Sequence, residues 1–364
     1  MKALLLGDLS PTAENRDLFI SGDIQTLFTD TLPLFQGNDI NLVNVECALT
    51  DTPSPITKIG PAIAAPTNTA NVMKQIGVTC CSLSNNHFFD HGRSGVESGL
   101  KALKDAGITP TGWGENYEDS RKNLVIEKDG EKIVIVAVCE HEYSYALEDR
   151  MGSRPFCPID TLEDIREAKK NADRVIVIYH GGKEYCNYPS PRLMKVCRAM
   201  VKNGADVILT QHSHCIGCYE QYMGGHILYG QGNFHFVMTT SNPEVQEGWD
   251  SSLAVHYDTK TNEITFTPIT RAGQGMTLAK GELKERLLKE FADRNQSLQD
   301  GTWREGWNAF CERNRELYTR VLERAYKEGA TERHNQFFAH YLDCEAHSDV
   351  WRELFPTYNQ TNEK

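Results

Sequence analysis

Apolar runs that each end in a residue able to hold a metal ion constrain this chain most. The runs at 3–6, 40–45, 78–83, 175–179 and 207–209 are followed by Asp8, by Glu46, by Asn86 with His87, by His180, and by His212 with His214. A further run lies at 133–138. Between them, segments 24–35, 68–76, 94–106, 161–172 and 191–203 carry apolar residues at helical spacing, and Gly77, Gly107 and Gly204 are placed as stops. Strands alternating with helices predict a layered α/β fold. In such sheets ligands gather beyond the carboxyl ends of the strands, so polar residues up to about 200 positions apart can converge there. Lys128-Asp129-Gly130-Glu131 reads as a hairpin turn, and further strands are expected at 226–230, 252–257 and 263–269.

The composition changes near Gly273-Gln274-Gly275, beyond which Leu, Glu, Lys and Arg dominate. We therefore expect an α/β domain over 1–274 and a helical extension over 275–364, with helices at 281–294, 303–328 and 331–345. A net charge of −12 offers no footprint for nucleic acid, although bound cations can still attract an anionic substrate. The first apolar run is too short for a signal-peptide core, and no run approaches the roughly 20 apolar residues of a bilayer span. The expectation is a cytoplasmic protein without an integral membrane segment. Eleven scattered cysteines suit reduced thiols. Cys215 and Cys218 form a C-x-x-C with no second pair to complete a zinc pattern, and are read as buried structural thiols.

Each candidate ligand has a plain alternative. Asp8 could cap a turn, Glu46 could be solvated, and Asn86 could cap a helix. The segment 84–92 nevertheless crowds two amides, two imidazoles and a carboxylate into one loop, and His212 and His214 can splay toward one metal each. Together Asp8, Glu46, Asn86, His180, His212 and His214 make a mixed oxygen and nitrogen set suited to two divalent ions such as Mn, Fe or Zn.

The motifs Gly7-Asp8, Asn44-Val45-Glu46, Asn85-Asn86-His87 with Asp90 and Gly92, His180-Gly181-Gly182 with Glu184-Tyr185, His212-Ser213-His214 and 229–234 resemble one family. It comprises the CapA-type capsule or poly-gamma-glutamate synthesis proteins of the calcineurin-like metallophosphoesterase superfamily, and the resemblance spans roughly residues 2–240. It implies a four-layer sandwich of two mixed sheets flanked by helices, with a dinuclear site at the strand ends. By position, Glu46 would bridge the metals, Asp8 and His214 would complete one site, and Asn86, His180 and His212 the other. His87 would be a general acid held by Asp90. Lys58 and His91 are candidate substrate contacts, each read equally well as a solvated charge or a capping imidazole. Glu184 faces substrate or solvent. Asn233 contacts substrate, orients the ligand histidines or forms a turn. Ser10 stands where the superfamily usually has histidine, and Glu46 where it has aspartate.

The resemblance implies a hydrolase acting through a metal-bridging water on a phosphate ester or related small anionic substrate. A polyglutamate-like substrate cleaved at a gamma-glutamyl amide bond, and a non-catalytic assembly protein, are the competing expectations.

Overall fold

The computed structural model describes residues 1–357. Strands β1 (Lys2–Leu9), β2 (Ile40–Val45), β3 (Cys80–Ser82) and β4 (Thr109–Thr111) lie parallel in that order. Strands β5 (Leu124–Lys128), β6 (Glu131–Cys139), β7 (Arg174–His180), β8 (Val207–Gln211), β9 (Ile216–Tyr222) and β10 (Gly225–Gln231) form a second sheet in the order β9-β10-β8-β7-β6-β5. The first sheet is completed by β11 (Asn233–His235) beside β1, and by the antiparallel strands β12 (Ser251–Asp258), β13 (Glu263–Ala272) and β14 (Gly275–Leu278). Both sheets are mixed.

The central strands are buried on both faces, which explains why they read as continuous apolar runs. Ala3 and Leu5 of β1 face a core shared with Ile133, Ile135, Ile176, Ile178 and Leu209 of the other sheet. Leu4 and Leu6 point the opposite way, toward helices α1 (Thr69–Ile76) and α2 (Gly92–Ala106) through Val72, Met73, Val96 and Leu103. On the far side, Val134, Val136, Val175 and Val177 pack against α3 (Pro158–Asn171) and α4 (Pro191–Lys202) through Ile165, Leu193 and Cys197. The period-two alternation thus builds the expected four layers: helices, sheet, sheet, helices.

Gly77 and Gly107 close α1 and α2 in the left-handed conformation. Asp129 (φ 52°) and Gly130 (φ 81°) make the two-residue turn between β5 and β6. The single helix expected at 24–35 is instead a short α-helix at Ile24–Phe28 followed by a 3-10 turn at Thr29–Phe35, because Pro33 has no N–H to continue an α-helix. The strand β9 was not anticipated, since only its first half is buried.

Beyond β14 the chain forms α5 (Gly281–Asp300), α6 (Trp303–Tyr326), α7 (Glu332–Asp343) and α8 (Glu345–Leu354). Residue 274 sits in the turn between β13 and β14, and α5 sends Leu287 and Phe291 into the core between the sheets. The other three helices make a separate apolar cluster with Cys186. All eleven cysteines are free. Among the described residues no helix is long and apolar enough to cross a membrane.

Candidate metal centre

The parallel strands bring their carboxyl ends to one edge of the sandwich. Pairing of β1 with β2 shifts register between Leu5 and Asp8, which re-aims Asp8. Gly7 lies in that irregularity, and a Cβ there would stand 2.0 Å from the Gly232 carbonyl oxygen, so only glycine fits. Amides join the sheets just below: Gln211 Nε2 donates to Gln231 Oε1 at 3.0 Å, and Gln231 Nε2 to the Leu5 carbonyl at 2.8 Å.

Two groups of potential ligand atoms meet there, one from Glu46, His180 and His212, the other from Asp8, Glu46 and His214. All five residues are buried. Glu46 belongs to both groups, and neither of its carboxylate oxygens has a hydrogen-bond partner. A buried carboxylate left bare in this way is costly unless a cation compensates it. His212 and His214 take positive φ values of 81° and 52°, a strained backbone for non-glycine residues, and their side chains diverge into different groups.

Asn86 joins the first group: its Oδ1 lies 3.0 Å from His180 Nε2, which is itself 3.3 Å from Glu46 Oε1. Donor atoms sharing one cation at roughly 2.1 Å lie about 3 Å apart, so these residues fit a common ion. The second group is sparser. His214 Nδ1 is 3.5 Å from Asp8 Oδ2 and Nε2 is 3.8 Å from Glu46 Oε1, while Ser10 Oγ is buried without a partner. Burial and the neighbouring Glu46 raise the Asp8 carboxyl above its ordinary range, and burial holds His180 well below its own. Two crowded carboxylates beside an imidazole that burial keeps neutral, His180, are a donor set awaiting positive charge.

Residues around the ligands fix them. Asn44 Nδ2 donates to Asp8 Oδ1 at 2.7 Å and meets His180 Nδ1 at 3.1 Å, and Asn85 Nδ2 donates to Asn44 Oδ1 at 3.0 Å. Asn233 Oδ1 accepts from His214 Nδ1 at 2.8 Å. His87 Nδ1 is 2.6 Å from Asp90 Oδ2, while Lys58 pairs with the other Asp90 oxygen and donates to the Asn86 carbonyl at 3.0 Å. His91 lies apart, its Nδ1 accepting from the Ser54 N–H at 2.9 Å at the start of α2.

A cavity of about 630 Å³ opens over the centre. Lys58, His87 and Glu184 line it, as do Glu142, Arg313 and His340. Glu184 is half-buried; burial raises its carboxyl, but the Lys183 ammonium 3.4 Å away leaves it lowered overall.

Glu142 and Asn44 escaped the sequence reading of the site. Glu142 Oε1 lies 3.1 Å from His212 Nε2, and its Oε2 accepts from Asn86 Nδ2 at 3.0 Å. Burial disfavours the charge on both partners, yet the pair wins: His212 is pushed up to about 10 and Glu142 held well below the carboxylate range. The signal was present, since the sixth apolar run also ends in acids and an imidazole, Glu140-His141-Glu142.

Fold and site together define an α/β sandwich whose strand-end cluster is compatible with a binuclear metal centre. The chain belongs to the family described as bacterial capsule synthesis protein PGA_cap, whose sequence profile matches residues 2–238. It is 34% identical over 211 residues to the "Capsule biosynthesis protein CapA" of Bacillus anthracis, covering 55% of this chain and 49% of that one. It is 29% identical over 255 residues to the "PGA biosynthesis protein CapA" of Bacillus subtilis (strain 168), covering 67% and 64%. The matched regions thus span about half to two thirds of these relatives. A solved structure described as a novel phosphatase from Mycoplasma pneumoniae aligns with a TM-score of 0.46 at 14% identity, over 79% of this chain and 96% of that one.

Proposed function

We propose that the protein is a metal-dependent hydrolase of phosphate esters or related small anionic substrates. The bare Glu46 carboxylate, buried and common to both ligand groups, is the observation that carries this reading. Divalent cations held by Asp8, Glu46 and His214 and by Glu46, Asn86, His180 and His212 would supply an activated water and stabilise negative charge on the attacked centre. His87 supplies the proton. Its Nδ1 is engaged by Asp90, which orients the ring, so that in the imidazolium form Nε2 gives its proton to the leaving oxygen and the neutral Nδ1–H tautomer remains. Lys58 holds Asp90 in turn and, lining the same cavity, adds positive charge for an anionic substrate.

The test is turnover of a phosphoester panel by protein loaded with Mn, Fe or Zn. His87→Ala should retain its metal and lose about 10²- to 10⁴-fold in turnover. Undiminished turnover in that variant would remove His87 from the mechanism, and fewer than one bound metal per chain under every loading condition would sink the metal centre.

The PGA name carried by the family and by one relative favours a second reading, hydrolysis of a gamma-glutamyl amide bond in a polyglutamate-like substrate. Two cations polarise a carbonyl as well as a phosphoryl group. Release of glutamate from gamma-glutamyl peptides, with phosphoesters left intact, would select it. Stoichiometric ligand binding without any turnover would instead support a non-catalytic role.

A further inference from the structure

We propose that Glu142 is a positioning residue of the metal centre and that the C-terminal helices hold it in place. The inference rests on the metal-centre part of the function proposed above and concerns residues outside the motif set.

One carboxylate grips two members of the same ligand group. Glu142 Oε1 faces His212 Nε2 at 3.1 Å, and Oε2 accepts from Asn86 Nδ2 at 3.0 Å. The other histidine nitrogen, Nδ1, is buried and has no partner. A carboxylate on Nε2 keeps the ring hydrogen there and leaves the Nδ1 lone pair for a cation. The same carboxylate accepts from the Asn86 amide nitrogen, so that Asn86 Oδ1 is the atom turned toward His180 Nε2. Glu142 therefore sets the donor atom that each neighbour presents.

The chain places Glu142 three residues past the end of β6, in a loop tied to the segment joining α7 and α8. Cys344 Sγ donates to Glu142 Oε1 at 3.4 Å. The Ala346 N–H donates to Glu140 Oε2 at 3.1 Å. Glu345 accepts from the His141 N–H at 2.8 Å and pairs with His141 Nδ1 at 2.7 Å. Tyr145 donates its hydroxyl to Asp343 at 2.8 Å. Four successive residues, 343–346, thus fasten the loop at 140–145, although they lie about 200 positions away and beyond the span matched by the family profile. Arg192 reinforces the junction by pairing with both Glu140 and Asp349. The helical extension is on this account part of the metal centre.

The test uses the full chain stripped of metal and titrated with Mn(II), with bound ion counted by equilibrium dialysis and its state read by electron paramagnetic resonance. Wild type should bind two ions with an exchange-coupled spectrum. Glu142→Ala should keep one ion near wild-type affinity and bind the other 10- to 100-fold more weakly, giving the spectrum of an isolated ion. Glu142→Gln, which keeps an acceptor for His212, should fall between them. Glu345→Ala, remote from every ligand, should weaken the same ion severalfold. Wild-type affinity for both ions in Glu142→Ala and Glu345→Ala overturns the proposal and leaves the metal centre standing. Equal weakening of both ions accompanied by a lower melting temperature of the metal-free variants also overturns it, as a general loss of structure. A wild type that binds no metal removes both readings at once.

Discussion

Single buried groups set how this molecule responds to its solution. His235 is fully buried between Phe19 and Phe28, with Nε2 on the Leu27 carbonyl at 3.1 Å and Nδ1 unpartnered. Burial pushes its imidazole down to about 4. The unfolded chain takes up a proton here below roughly pH 6.5, whereas the folded chain refuses it until about pH 4. The stabilising contribution is therefore complete above pH 6.5 and drains away as pH falls toward 4, by about 3 kcal/mol in all. Urea unfolding at pH 7 and pH 4.5 should show wild type losing about 2 to 3 kcal/mol more than His235→Gln over that interval. Equal losses would show that His235 is not excluded from protonation in the fold. Near it in sequence, Asn233 reads as a substrate contact, an orienting group for the ligand histidines or a turn, and the contact that bears on the choice, with His214, forms only on folding.

At the scale of elements, the strands and most helices were legible because burial on both faces left continuous apolar runs, and helices left a periodic stripe with a glycine stop. The ligand-bearing strand ends followed from the same pattern. Illegible parts depended on distant partners. Nothing in 343–345 breaks helix propensity, yet Cys344 is extended (φ −69°, ψ 127°) and separates α7 from α8. The bonds of Glu345 to His141 explain the break, and a window of neighbouring residues cannot reveal them. Glu142 stands at the end of an apolar run as the ligands do, and only its partners His212 and Asn86 lie beyond such a window. The helices themselves have a core of their own, centred on Trp307, which is 1% exposed, stacks on Phe310 at 6.2 Å and donates to Glu353 at 3.1 Å. Truncation by Trp307→Ala should cost about 3 to 5 kcal/mol in urea unfolding. A loss below 1 kcal/mol would mean that α6 contributes no packed core.

For the whole molecule, the site is where the two sheets are joined by charge as well as by apolar packing. Asp8 and Glu46 come from one sheet, His180 and His212 from the ends of strands in the other. Without a cation the junction carries a buried carboxylate with no hydrogen-bond partner, which opposes folding, and a cation reverses that sign by binding the folded state alone. Stability and metal binding should then trade against each other at Glu46. In metal-free protein, Glu46→Gln removes the bare charge and should match or exceed the melting temperature of wild type. Added Mn(II) at about 100 times its dissociation constant should stabilise wild type by about 2.7 kcal/mol, an increase that a chelator reverses, and should leave Glu46→Gln almost unmoved. Melting curves of both proteins with chelator and with Mn(II) decide the matter. A metal-free variant less stable than wild type that still gains fully from Mn(II) would assign Glu46 to packing alone, and the charge that joins the sheets would have to come from elsewhere.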